Sequence, residues 1–301
     1  MKLLTLVLLL STFSSLTLME VVKDFQKPCS KFFIRSPNVK HIITPTVLKG
    51  SQYKQICQRL NNKYTFATLY DTKNRIPVYS AYTFSGGDQA RNRNNEWKNE
   101  PQLENIQQSE MRKISNDEMD GFFHQAVDRD YIESGKYTNI SYTRGHVFPN
   151  QYAADQNQAD STFTFTNIAP QTQHSNGEWD KEVETPMRKE IQRECSQNNK
   201  IMAFIVTGVV PGNKWISIRR KDNNNKDNPV VQGVNIPSFY WTAFCCYTDP
   251  TTTISRAYLI RQNEPNPKTY EITRLSVDML NRRLSILYEQ DFKVFNDLCL
   301  T

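Results

Sequence analysis

The chain has 301 residues, 38% of them hydrophobic and 23% charged, with a formal net charge of +6. That balance excludes a disordered or fibrous chain and leaves room for one large domain with a full core. A mildly basic surface favours polyanionic partners without identifying them.

Lys2 precedes an apolar run, Leu3 to Leu10, and small residues follow through Ser15 and Thr17. A charged start, a short apolar stretch and a small-residue exit predict a signal peptide over residues 1–19, cleaved near Thr17–Glu20. The run is shorter than the roughly 20 residues a spanning helix needs. No second long apolar run follows, so residues 20–301 are expected to form one secreted, extracellular domain without a membrane span. Residues up to about Lys63 show no clear period. From Tyr64 the pattern becomes β-like: Tyr64–Tyr70 and Val78–Phe84 are aromatic and β-branched runs around the turn cluster Asp71-Thr72-Lys73-Asn74. Ser85–Asn99 is polar, carries Arg91 and Arg93, and reads as a loop. Tyr142–Phe148 and Phe163–Ile168 read as two further strands. Glu178–Glu194 reads as a helix that Pro186 should kink or restart near Thr185. Ile201–Val210 is almost wholly apolar and predicts a central strand buried on both faces. Arg219–Asn228 is a charged loop. Phe239–Tyr247 and Ala257–Arg261 are strand candidates, and the apolar spacing of Leu275–Leu287 is helical. The sum is an α+β fold: a mainly antiparallel central sheet flanked by helices.

Six cysteines, Cys29, Cys57, Cys195, Cys245, Cys246 and Cys299, are an even number in a chain bound for an oxidising compartment. Disulfides are expected, with all fifteen pairings open. Asn139-Ile140-Ser141 is a glycosylation sequon.

Between Tyr142 and Glu184 the polar residues follow neither a helical nor a strand period; they fall where elements end. Arg144-Gly145-His146 closes one run and Asn167 closes the next. Asn176 opens the segment that carries Glu184. A neutral imidazole at His146 suits a general base near pH 7. Gly145 allows close backbone approach or an unusual φ, and Arg144 offers a fork matched to phosphate oxygens. The Asn176 carboxamide suits a hard cation such as Mg²⁺, though a plain helix N-cap would also use Asn. Glu184, with Glu182 as its rival, is placed to hold a metal's waters; Asn167 is placed to orient the base or a phosphate. His41, His124 and His174 have no such setting.

These motifs, with Asn167-Ile168-Ala169-Pro170-Gln171, resemble the DNA/RNA non-specific endonucleases of the ββα-metal type, the group that includes the secreted Serratia nuclease. The chain looks most like the vertebrate endonuclease domain-containing 1-like proteins. Arg75-Ile76-Pro77-Val78-Tyr79-Ser80-Ala81-Tyr82, Trp97, Glu100-Pro101-Gln102-Leu103, Val206-Thr207-Gly208 and Pro237-Ser238-Phe239-Tyr240-Trp241 extend the resemblance over roughly residues 55 to 290. It implies a ββα-metal (His-Me finger) motif and a metal-dependent endonuclease acting on DNA and RNA. His146 would be the base and Asn176 the one protein ligand to a single Mg²⁺ or Mn²⁺. Glu184 would orient the metal's waters, Arg144 and Asn167 would meet the phosphate, and Arg93 would stand in for an arginine usual before the landmark Trp. Two departures follow. Thr143 stands where the family has Asp or Asn, and Asn95 where it has that Arg; a contact at the metal is expected to be lost. The alternative is a catalytically weak or inactive endonuclease-like extracellular binding protein.

Overall fold

The computed structural model describes residues 20–36, 41–87, 96–197, 200–219, 230–249, 251–263 and 272–301. The proposed signal peptide, Arg91, Arg93, Asn95 and most of the charged 219–228 loop lie outside these residues. An eight-stranded sheet organises the chain, in the order Val21–Val22, Tyr53–Leu60, Lys63–Asp71, Ile76–Phe84, Ala203–Val210, Phe239–Tyr247, Thr253–Arg261, Thr273–Leu275. Every neighbouring pair is antiparallel. The α+β reading therefore holds, and the apolar Ala203–Val210 strand sits inside the sheet as its composition requires.

Each face of the sheet carries its own core. One face packs Ile205, Val209, Tyr82 and Phe84 against Phe148, Tyr152, Trp179 and Met187. The other packs Val206, Val210, Tyr79 and Trp241 against Leu280 and Leu284 of the Val277–Leu287 helix and against Phe292. Period-2 alternation along the strands sends successive side chains to opposite layers. The same alternation explains the adjacent cysteines. Cys246 joins Cys195, at the end of the Thr185–Glu194 helix on one face; Cys245 joins Cys299, near the C-terminus, on the other. Cys29–Cys57 ties the N-terminal segment to the Tyr53–Leu60 strand.

Two expectations are corrected and a third holds. The Tyr53–Leu60 strand was hidden because Gln58 and Arg59 are polar yet buried. Gln58 donates to the hydroxyls of Thr68 and Thr166 inside the fold, so its polarity does not mark a surface. Phe163–Ile168 is not a strand. The hydroxyls of Thr164 and Thr166 bond Glu100, and Phe165–Asn167 turns tightly before a strand at Ile168–Gln171. The expected restart near Thr185 holds: a regular α-helix begins there, with Pro186 in its first turn. A Gln173–Trp179 helix runs through a wide turn at Asp180–Glu184, where Thr185 N–H reaches back to Asp180 C=O, into Thr185–Glu194. Proline has no N–H to donate back along the helix, and widening the turn by one residue before it accommodates that loss.

Candidate active site

The Thr143–His146 and Ile168–Gln171 strands pair antiparallel, with Thr143 opposite Gln171 and His146 opposite Ile168. The Gln173–Trp179 helix follows at once. This is a ββα unit on one face of the main sheet, anchored by Phe148, whose ring stacks on Tyr82 with centroids 4.0 Å apart. Gly145 is required for close approach. A Cβ there would come within 2.0 Å of the Gln171 Oε1 across the hairpin.

A cleft of about 430 Å³ opens beside this unit, lined by His146, Pro149, Asn150, Gln151, Phe163, Asn176, Asp180 and Glu184. Three of the sequence-predicted residues, His146, Asn176 and Glu184, thus share one cavity. The His146 ring lies among aromatics, 5.7 Å from Trp97 and 5.1 Å from Phe163 between centroids. Burial among them pushes its pKa down to about 4, against the opposing effect of a hydrogen bond to the Arg144 backbone carbonyl. Among the described residues the buried Nε2 has no hydrogen-bond partner, so that bond is made through Nδ1–H. The tautomer that results carries its lone pair on Nε2, the nitrogen a general base needs.

Asn176 is not the helix cap. Thr172 takes that role, accepting from Ser175 N–H, and Asn176 sits on the helix itself. Its Nδ2 donates to the Thr143 hydroxyl at 3.3 Å. Glu184 lies in the wide turn, 9% exposed, and accepts from Gln151 Nε2 at 3.0 Å. Burial, reinforced by the negative charge of Asp180, raises its pKa to about 8. The rival Glu182 does not line the cleft and bonds Lys181 instead.

Arg144 and Asn167 are placed differently. Arg144 shares a strand face with His146, but its guanidinium bonds the Asp128 carboxylate and lies 5.1 Å over the Trp97 ring. It borders the cleft without lining it, and a phosphate would have to compete with Asp128. Asn167, expected to meet phosphate, is corrected: it is fully buried and behind the site. Its Oδ1 accepts from Ser80 and from Phe148 N–H at 2.9 Å each, and its Nδ2 donates to the carbonyls of Phe148 and Thr162 at 3.1 Å each. With its backbone carbonyl it also accepts from Val147 N–H. The carboxamide clamps the chain just beyond His146. Its loss would orphan several buried groups at once, so Asn167→Ala is expected to lower unfolding stability by about 2–4 kcal/mol, read by denaturant melts.

Asp180, Gln151 and Asp128 are site neighbours that the sequence reading missed. Asp180 had a signal: it lies four residues after Asn176 and four before Glu184, on one helical face. Gln151 and Asp128 had none. His124, set aside at the outset, pairs with Glu104 away from the cleft.

The cleft offers hard oxygen donors from Asn176, Asp180 and Glu184, a chemistry that fits Mg²⁺ or Mn²⁺. Among the described residues no group of three or more His, Cys, Asp or Glu side chains is arranged to hold a metal. An ion here would therefore keep most of its waters, as Mg²⁺ prefers.

The model of the DNA/RNA non-specific endonuclease family matches residues 45–295. The chain is 31% identical to human endonuclease domain-containing 1 protein over 227 residues, and 28% identical to the mouse protein over 224. The aligned parts are 72% of this chain and 38% of each relative, so the chain spans well under half of those proteins. A solved structure, titled as the EndoG/EndoGI complex and its mechanism of EndoG inhibition, aligns over 75% of this chain and 83% of its own, with TM-score 0.48 and 15% identity. From the match over residues 45–295, the chain belongs to the DNA/RNA non-specific endonuclease family.

Proposed function

We propose that the chain is a secreted, metal-dependent endonuclease that hydrolyses phosphodiester bonds of DNA and RNA with little sequence preference. The observation that carries this reading is the shared cleft of His146, Asn176 and Glu184. His146 Nε2 takes the proton of an attacking water, while its Nδ1–H stays on the Arg144 carbonyl and holds the ring. Asn176 would hold one Mg²⁺ or Mn²⁺, and Glu184, steadied by Gln151, would order waters at the ion. When bound, the cation offsets negative charge at the reacting phosphate and assists departure of the 3′ oxygen. Arg144 adds positive charge beside the cleft, moderated by Asp128, and Asn167 acts through the backbone after His146. Low sequence preference follows because these groups address phosphate and not base edges. Three disulfides suit an oxidising compartment, and no helix among the described residues is long and apolar enough to cross a membrane.

The rival reading, a binding protein with catalysis lost, draws on Thr143 and Asn95. Asn95 lies outside the described residues, and Thr143 does contact Asn176, which favours the enzyme. Purified protein incubated with plasmid and with RNA is expected to cut both in Mg²⁺, to stop in EDTA and to resume with excess Mg²⁺. Tight binding without cleavage would establish the rival instead.

A further inference from the structure

The Thr143 hydroxyl makes two hydrogen bonds, and together they have a direction. It donates to the Gln171 backbone carbonyl at 2.9 Å and accepts from Asn176 Nδ2 at 3.3 Å. A hydroxyl owns one proton. With that proton committed to Gln171, only lone pairs face Asn176, and only the NH₂ end of its carboxamide can answer them. The two ends of an Asn side chain are nearly the same shape, so neighbours decide which way the amide turns. Thr143 decides it here, and leaves Oδ1 as the end free to serve a cation.

We infer that Thr143 is a positioning residue for the metal: it holds the Asn176 carboxamide oxygen-forward in the cleft. The hairpin register makes this possible, because Thr143 stands opposite Gln171 and the helix bearing Asn176 starts two residues after that strand ends. A carboxylate at position 143 could also accept from Asn176. It would have no proton for the Gln171 carbonyl and would set a negative charge against that oxygen. Threonine satisfies both partners while staying neutral. What the threonine removes from the site is therefore a charge and not a contact. Among the described residues lining the cleft, the negative charge then comes from Asp180 and Glu184, and this member of the family is expected to hold its cation loosely.

The inference rests on the reading of Asn176 as metal ligand, and its test separates the two. Mn²⁺ binding to the full protein is measured by titration, with the free ion followed by electron paramagnetic resonance. Thr143→Ser keeps the hydroxyl and should bind within about threefold of the parent. Thr143→Val keeps shape and β-branching but removes the hydroxyl, and should weaken Mn²⁺ by roughly 10–100-fold, the usual cost of losing a group that orients a ligand. The metal concentration for half-maximal cleavage should rise in step, while kcat at saturating Mn²⁺ stays within a few-fold. Thr143→Ala carries the same expectation should the valine variant fold poorly by circular dichroism. Asn176→Ala is the control. If it loses Mn²⁺ while Thr143→Val and Thr143→Ala bind as the parent does, the positioning role is wrong and the ligand assignment stands. If Asn176→Ala binds Mn²⁺ unchanged, the ligand assignment falls, and this inference with it.

Discussion

His146→Ala is expected to lower kcat for plasmid cleavage by roughly 10²–10⁴-fold, the usual range for loss of a general base, with Mn²⁺ affinity little changed. The magnitude follows from how the ring is set. Nδ1–H is spent on the Arg144 carbonyl, and the buried Nε2 has no hydrogen-bond partner among the described residues. Aromatic burial holds the pKa near 4, so the ring is neutral and competent throughout the physiological range. The sign is definite: acid protonates the base, so the rate should fall as pH drops through the region of pH 4 and not near the ordinary histidine value of about 6.5. The check is a pH–rate profile of kcat for the parent beside single-point rates for the variant. Cleavage at the parental rate by His146→Ala would remove the base from the account.

The second large effect concerns the metal. Asn176→Ala should abolish cleavage at millimolar Mg²⁺ and weaken Mn²⁺ binding by at least about tenfold, since no other carboxamide ligand is proposed. Asn176→Asp should restore binding while leaving the helix intact. The neighbouring carboxylate adds a pH signature. Burial and the Asp180 charge hold Glu184 protonated below about pH 8 in the metal-free protein. A cation favours the ionised form, so binding at pH 7 should release a proton. Apparent affinity should then climb about tenfold per pH unit toward pH 8 and level above it. In Glu184→Gln the slope should vanish. Calorimetric titrations in buffers of different ionisation enthalpy measure both the affinity and the protons released.

Much of this architecture was legible because its elements follow strong patterns. The apolar Ala203–Val210 strand, the aromatic Phe239–Tyr247 strand and the periodic Val277–Leu287 helix each declare their own burial. The misreadings share a cause, which is polarity hidden inside the fold. Gln58, Thr164, Thr166 and Asn167 are fully buried yet bond one another, other buried side chains and nearby backbone across long sequence separations. A hydrophobic pattern cannot register partners 108 residues apart, as Gln58 and Thr166 are. At the site, His146, Asn176 and Glu184 were readable because motif spacing on a ββα unit fixes where they fall. The partners of Arg144 and Asn167 were not readable for the opposite reason. A sequence shows that an arginine or asparagine is present, but not that Asp128 already occupies one and four backbone and hydroxyl groups the other. The Trp179-to-Glu184 stretch shows a further limit, since the wide turn at Asp180–Glu184 alters which residues share a face.

The most direct test is a crystal structure of His146→Ala soaked with Mn²⁺ and a short DNA duplex, with the ion located by its anomalous scattering. A single Mn²⁺ is expected about 2.1–2.2 Å from Asn176 Oδ1, with an otherwise water-filled coordination sphere and a phosphate between the ion and the space left by the imidazole. An ion bound elsewhere in the cleft, with Asn176 Oδ1 outside its coordination sphere, would contradict it.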